Sequence, residues 1–475
     1  MSGRFALVLH SHMPYVEGFG TWPFGEEWLF EAMASSYLPL LDVLPGSAIT
    51  VSVTPVLADQ LEAPGVAERF TAFLRDVRPV SHALDAAELR GRGEEGAARA
   101  LELAAGDYAQ ALARFEALPD GLLAALAPGW TSSATHAVLP LCATEAGVRL
   151  QLRVGIEAHR ARSGGHWNGG FWLPECAYSA WLDPLLEEAG ARTVCVDLTD
   201  VLGRGAPEQL RPLRTQAGPL LVPIDREVIE LVWSPGGYPS HAAYRAYHSR
   251  SERDHHPWAV DGAVYDAARA REQCRVDARH FVGHVRERIA DGGLCVCALD
   301  TELLGHWWYE GPWWLADVVA ECAAQGVALM PLDEAADECR SASRPLSGRT
   351  SERAALVAEP LAAERLGTTT WGTPRDLSTW DNPDVAELTW RARAAELALV
   401  AAGPHPPARA VRELLALQSS DWAFLAKRAL AGAYPRDRFE GHHAALLTAM
   451  GQDGAEDPAV RNLAPLAQAA ALSLT

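Results

Sequence analysis

The chain has 475 residues, 49% hydrophobic and 21% charged, with a formal net charge of −20. This is a soluble, globular balance with material for two or three domains, or for one large barrel with an appendage. So acidic a surface repels phosphate backbones, which argues against nucleic acid as a partner and leaves uncharged substrates such as sugars unaffected.

In chain order, short apolar runs alternate with helical patterns. The first, "RFALVLHSH" (4–12), has an apolar stretch of only Phe5 to Leu9, too short for a signal peptide. No uncharged stretch approaches the ~20 residues of a membrane helix, so neither a membrane nor secretion is expected and the cytoplasm is the expected location. Further runs follow at 48–58, 169–176, 192–198, 219–225, 227–234, 292–302 and 326–334. They are rich in Val and Leu and not cleanly alternating, as strands buried on both faces of a parallel sheet are. Helical segments such as 180–189 and 266–290 lie between them. The alternation predicts an α/β fold with a parallel sheet, either open or closed into a barrel.

Two stretches break the rhythm. Residues 59–125 are rich in Ala, Leu, Arg and Glu and read as a helical insertion. Residues 340–354 are polar and read as a linker. The expected organisation is a barrel over 1–339 with the insertion at about 59–125, a linker at 340–354, and an all-helical C-terminal domain over 355–475. The eight cysteines are scattered and fit buried free thiols.

In parallel α/β folds the chemistry sits at the carboxyl ends of strands. The first run ends in His10 and His12, which share one face of an extended segment. "GGFWLPECAY" (169–178) ends a hydrophobic run in Glu175, and a glutamate is rarely buried without a partner. "LCVCALDTE" (294–302) ends in Asp300 and Glu302. Two carboxylates on separate strands are the minimal set for glycoside chemistry, and burial against Trp and Phe keeps one of them protonated near neutrality. Taken singly, each has a plainer reading: Glu175 as a cap or salt-bridge partner, His10 and His12 as satisfied core histidines. Asp197 and Asp333 read as caps of the helices that follow them. Trp307, Trp308, Trp313 and Trp314 form two adjacent pairs; neighbours on a helix do not share a face, so some of them belong to the core.

Five regions together resemble glycoside hydrolase family 57, most of all its α-1,4-glucan branching enzymes: "LHSHMPYV" (9–16), "GWTSSATHAVLPL" (129–141), "GFWLPECAY" (170–178), "ALDTELLGHWWYEGP" (298–312), and, in the helical region, "TTWGTPRDLSTWDN" (369–382) with "LLALQSSDWAF" (414–424). The resemblance implies an incomplete (β/α)7 barrel followed by a helical domain. It implies Glu175 as nucleophile and Asp300 as general acid/base of a retaining reaction, a pair expected ~5–5.5 Å apart. It implies that His10, His12 and His136 bind sugar hydroxyls and that His306 supports the surroundings of Asp300. Trp22, Trp28, Trp371, Trp380, Asp421 and Trp422 are the further substrate-binding candidates. No metal or organic cofactor is implied, and the partner is an α-glucan such as amylose or a glycogen-like polymer.

"WSPGGYPSHAAYRAYH" (233–248) resembles the family's mobile loop, with Tyr238 at its tip and Gly236 and Gly237 as a hinge. Here the chain departs from the pattern. Ser240-His241 replaces the usual Gly-Asp, and the stretch after Tyr247 is short and lacks the expected basic, aromatic segment. That puts the acceptor side in question. The resemblance implies a branching transglycosylase of glycogen biosynthesis. The alternatives are an α-amylase-type hydrolase or 4-α-glucanotransferase with the same pair, a metal-dependent polysaccharide deacetylase using His10 and His12, and a glucan-binding protein without catalysis.

Overall fold

The computed structural model describes residues 3–21, 24–215, 217–342, 359–360, 366–403, 405–451 and 460–467. Trp22 and most of the expected linker, 343–354, lie outside the described residues. The strands are β1 (Arg4–Ser11), β2 (Thr50–Val53), β3 (Thr131–Ser132), β4 (Gly170–Trp172), β5 (Thr193–Val196), β6 (Leu213–Arg214), β7 (Leu220–Pro223), β8 (Leu294–Asp300) and β9 (Glu359–Pro360).

Seven of them run parallel around a ring. One sheet has the order β2-β1-β8 and the other runs β3-β4-β5-β7-β6-β9. A bridge between Ser52 and Trp130 joins β2 to the start of β3. On the other side β7 approaches β8 through one bond, from the Asp225 amide to the Val296 carbonyl at 2.9 Å. The ring is therefore β8-β1-β2-β3-β4-β5-β7, open between β7 and β8. The expectation of an incomplete seven-stranded barrel holds, and β6 and β9 are short additions at the edge.

The sequence pattern of the strands follows from this ring. From Phe5 to Ser11 every residue of β1 is buried, because β2 and β8 flank it and helices cover its outer face. Burial on both sides leaves no polar alternation. Gly170 begins β4 because a Cβ there would lie 2.1 Å from the indole nitrogen of Trp130. That indole instead donates to Asp333 at 2.9 Å. Asp333 thus holds Trp130 from within the first turn of the helix Leu332–Ala342, rather than capping it.

Two expected strands are not strands. Residues 227–234 form the helix Arg226–Val232. Val228, Ile229 and Val232 are buried at helical spacing, and the Asp225 carboxylate caps the start by accepting from the Glu227 amide at 3.0 Å. A cap and a period-3.6 apolar face outweigh β-branched content. Residues 326–334 contribute one bridge, Phe5 to Leu329, before the helix begins. β3, only two residues long, was not expected as a strand.

The insertion is helical as expected, with Pro55–Leu61, Val66–Ala72, Arg78–Gly91, Glu95–Glu116 and Gly121–Leu126. The C-terminal region folds as the helices Ala386–Ala401, Ala408–Leu417, Ser420–Arg428 and Tyr434–Ala449. These helices share an apolar core with the barrel: Leu388, Leu399, Leu414, Trp422 and Phe439 pack in one cluster with Tyr15, Val56 and Leu150. Burying each such side chain is worth roughly 1.5–3 kcal/mol, which seats the helices on the side of the ring where β1 to β4 end. All eight cysteines are free. Among the described residues no helix is long and apolar enough to cross a membrane.

Candidate active site

β4 and β8 stand on opposite sides of the ring, so the chain segments leaving their carboxyl ends face each other across its mouth. β8 ends in Asp300, paired in register with His10 of β1. Just past β4, Glu175 adopts a left-handed backbone, φ 61° and ψ 20°, and Cys176 follows at φ 49°. His136, beyond β3, also has positive φ at 57°. Non-glycine residues take this conformation at a cost of order 1–3 kcal/mol when surrounding structure holds them there, and they cluster at functional sites. Here two of the three carry the candidate chemistry.

Four groups surround the Glu175 carboxylate. The Trp371 indole N–H donates to Oε2 at 3.1 Å, and the Trp371 amide donates to the Glu175 carbonyl at 2.9 Å. His136 Nδ1 stands 3.8 Å from Oε1, and the charges of His12 and Asp421 reach it. Burial dominates and pushes the carboxyl up to about 7, against the pull of Trp371 and His12. Asp300 is raised well above its ordinary value, by burial first and then by the like charges of Glu302 and Glu175. The charge on an ionised Glu175 favours the proton on Asp300, the division of labour that an acid and a nucleophile need.

The histidines form a wall of rings. His10 Nε2 meets His136 Nε2 at 3.0 Å, and His10 Nδ1 meets the Ser52 hydroxyl at 3.2 Å. The His10 ring lies flat on Trp172, 4.6 Å between centroids. His12 Nδ1 meets Thr54 at 3.2 Å and its Nε2 meets Asp421 at 3.0 Å. Burial holds His10 and His136 well below the ordinary value, so both are neutral. Burial also opposes charge on His12, but Asp421, Glu302 and Glu175 outweigh it and raise its value. The site thus contains one histidine prone to be cationic among three carboxylates. Among the described residues no cluster of His, Cys, Asp and Glu is arranged to hold a metal ion, and His10 and His12 point their ring nitrogens at Ser52, His136, Thr54 and Asp421.

Of the residues expected at the site, the structure gathers His10, His12, His136, Glu175, Trp371 and Asp421, with Asp300 in electrostatic reach. It does not gather the other described ones, Trp28, Tyr238, His306, Trp380 and Trp422. Trp422 is buried and donates to the Ala416 carbonyl at 2.7 Å. Trp380 is buried against Val138, Ala177 and Val385. Trp28 is half-buried, edge-on to Phe24. The Tyr238 hydroxyl bonds His280 at 2.7 Å and its ring packs on Trp314. His306 sits 3.5 Å from Ser35 in a neighbouring cavity.

Several participants are given no role from sequence, Glu302 among them although it is named beside Asp300 at the end of its run. Glu302 accepts the His12 amide at 3.0 Å and the Tyr37 hydroxyl, and burial pushes it up to about 7. Ser52 and Thr54 alternate at the end of β2 as His10 and His12 do at the end of β1, so the strand-end rule contained that signal. Tyr37 and Ser420, which meets His136 Nδ1 at 2.8 Å, lie in helical stretches with no such signal. Asp197 caps Thr199 as expected, at 2.9 Å, and also anchors Arg226 at 2.7 Å. Arg226 in turn donates to the Trp371 carbonyl, so a structural aspartate helps to place the indole on Glu175.

The profile of Glycosyl hydrolase family 57 matches residues 130–345, and that of the 1,4-alpha-glucan branching enzyme C-terminal region matches 407–470. A probable 1,4-alpha-glucan branching enzyme of Mycobacterium tuberculosis is 31% identical over 93% of this chain and 90% of its own. The chain belongs to glycoside hydrolase family 57. Another relative, a 1,4-alpha-glucan branching enzyme of Thermococcus kodakarensis, is 30% identical over 92% of this chain and 72% of its own. The crystal structure of the family 57 branching enzyme of Pyrococcus horikoshii superposes with a TM-score of 0.81 at 28% identity, over 93% of this chain and 88% of that one. An alpha-amylase of Thermotoga maritima gives the same TM-score at 21% identity over the whole of both chains, a likeness of fold.

Proposed function

We infer that the protein is a retaining transglycosylase that cleaves α-1,4 bonds of an α-glucan and rejoins the chain to a 6-hydroxyl, making α-1,6 branches of the kind that glycogen biosynthesis requires. The observation that carries this reading is the facing pair of carboxyl groups: Glu175, just past β4 and held by the Trp371 indole, and Asp300 at the end of β8 on the opposite side of the mouth. The names of its relatives, branching enzymes over nearly the full chain, support the choice of reaction.

In the first step Glu175 Oε attacks the anomeric carbon, the C1–O4 bond breaks, and the Asp300 proton goes to the leaving O4. A glycosyl ester on Glu175 results. In the second step the Asp300 carboxylate takes the proton of an incoming 6-hydroxyl, that oxygen attacks C1, and Glu175 leaves. Two inversions give net retention. Neutral His10 and His136, partnered through their ring nitrogens by Ser52, Ser420 and each other, wall the site, and cationic His12 balances the negative charge that Glu175 carries before it attacks and again when it leaves.

Water in place of the sugar hydroxyl turns the same pair into a hydrolase. The position of Tyr238, turned to His280 rather than to Glu175, favours keeping that second reading in view. One assay separates the two. After incubation with amylose, many new α-1,6 linkages with few new reducing ends mark a branching enzyme; the reverse marks a hydrolase. Acetate release from an acetylated polysaccharide, without change in amylose, would overturn both.

A further inference from the structure

A cavity of about 350 Å³ lies beside the end of β8 and contains neither Glu175 nor Asp300. Its size is within the ~300–1,000 Å³ of small-ligand sites. Its walls come from the helical insertion, the helices Glu26–Ala32 and Gly311–Gln325, the loop at 305–309, and the segment at 245–256 that departs from the family pattern. The cavity is tied to the active site through backbone. The Trp307 amide donates to the Glu302 carbonyl at 3.2 Å. Ser36, next to the lining Ser35, donates to the Thr301 carbonyl at 3.0 Å. Gly305, at φ +105°, seats the loop so closely that a Cβ would lie 1.9 Å from the Ser35 carbonyl oxygen.

The lining has a specific chemistry. The adjacent tryptophans divide: Trp308 and Trp314 are buried, while Trp307 and Trp313 are partly exposed and face the cavity. Three of the four lining arginines are paired with carboxylates, and the fourth, Arg245, is held by aromatic rings. Arg78 pairs with Glu31 at 2.8 Å, Arg114 with Asp42 at 2.6 Å and Arg271 with Asp317 at 2.8 Å. The Arg245 guanidinium lies 3.4 Å over the Tyr309 ring, whose hydroxyl is held by Asp107 at 2.7 Å. With three arginines paired and Glu31, Asp42, Asp107 and Asp254 in the same lining, an anion such as a phosphate ester is not favoured. What they offer is a fixed array of hydrogen-bonding groups next to two flat apolar rings. A pyranose has apolar faces and a rim of hydroxyls, so a neutral sugar matches both parts. Burial lowers His306 to about 4, so it too presents a neutral ring.

We propose that this cavity is a second α-glucan pocket, which holds a glucosyl unit of the polymer against Trp307 and Trp313 while the Glu175–Asp300 pair acts on another part of the chain. The proposal rests on the glucan reading above and extends it to a site outside the catalytic pair. The segment at 245–256 supplies Arg245, Tyr247, Asp254 and His256 to it, and the last two belong to the stretch after Tyr247 that departs from the family.

The test uses the full chain carrying Glu175→Gln, which binds without turnover, titrated with maltoheptaose by calorimetry. Two sites are expected. Adding Trp313→Ala weakens one of them about tenfold, the loss of a buried aromatic anchor, and spares the other. Ala316→Leu adds bulk to the cavity without removing a hydrogen bond and has the same effect, which guards against a pocket that merely collapses. A single site, or two sites untouched by both substitutions, overturns the proposal. No binding of maltoheptaose together with no action of the unsubstituted chain on amylose overturns the glucan reading and the proposal with it; turnover of amylose with only one site overturns the proposal alone.

Discussion

Trp371, beyond the barrel in sequence, donates its indole N–H to Glu175 Oε2 at 3.1 Å and its amide to the Glu175 carbonyl at 2.9 Å. Side chain and backbone of one residue thus fix the nucleophile candidate, which itself stands in a strained conformation. The indole hydrogen bond favours the ionised carboxylate, so Trp371→Phe, which keeps a ring and removes the donor, raises the Glu175 pKa. The acidic limb of the rate–pH profile then moves to higher pH than in the parent. An unmoved limb would mean that Glu175 does not set it.

The parent profile is expected to be bell-shaped. Activity rises with pH as Glu175 ionises near about 7, and it falls again where Asp300, raised well above its ordinary value, gives up its proton. Initial rates on amylose between pH 5 and 10 check both limbs.

The two carboxylates differ in what rescues their loss. Glu175→Gln abolishes turnover of every donor, by at least about a thousandfold. Asp300→Asn abolishes turnover of amylose, whose leaving oxygen needs a proton, but retains glycosyl transfer from an α-maltosyl fluoride, whose leaving group does not. Equal loss on both donors would show that Asp300 is not the acid.

Asp300 also couples the site to stability. Its folded pKa lies above the unfolded value of ~3.9, so the stability it contributes is complete below that value and is lost as pH rises through the folded one. Asp300→Asn removes the loss. The melting temperature of the variant relative to the parent is expected to be higher at pH 8 than at pH 4, as differential scanning calorimetry at the two pH values would show.

Asp421 pairs with His12 at 3.0 Å and is the foremost group favouring its charge. Asp421→Asn lowers the His12 pKa and removes a charge-assisted hydrogen bond, worth roughly 1.5–3 kcal/mol. A drop of about ten- to a hundredfold in kcat is expected, with the fold intact by circular dichroism.

Glu396, buried, accepts the amides of Ala143 and Thr144, the Thr144 hydroxyl and the Gln418 amide at 2.6–2.9 Å. It ties the helix Ala386–Ala401 to the barrel. Glu396→Ala strands these donors and is expected to cost about 3 kcal/mol or more, measured by urea unfolding.

By itself the sequence determined the parallel α/β plan, the helical insertion and tail, and the strand-end placement of His10, His12, Glu175 and Asp300. Those features are local: a doubly buried strand announces itself by an unbroken apolar run, and the residue closing it must lie at the ring's mouth. The tertiary structure decided the rest. Residues 227–234 have strand-like composition, and only the Asp225 cap and one buried face make them a helix. Tyr238, His306, Trp380 and Trp422 share motifs with the site residues yet point elsewhere, because a motif fixes spacing along the chain and not the direction of a side chain. Asp421, Ser420 and Trp371 reach the site across long separations, and Tyr37 and Glu302 meet only because the first helices fold over the end of β8. Such meetings depend on how the ring and the helices pack, which no local pattern encodes.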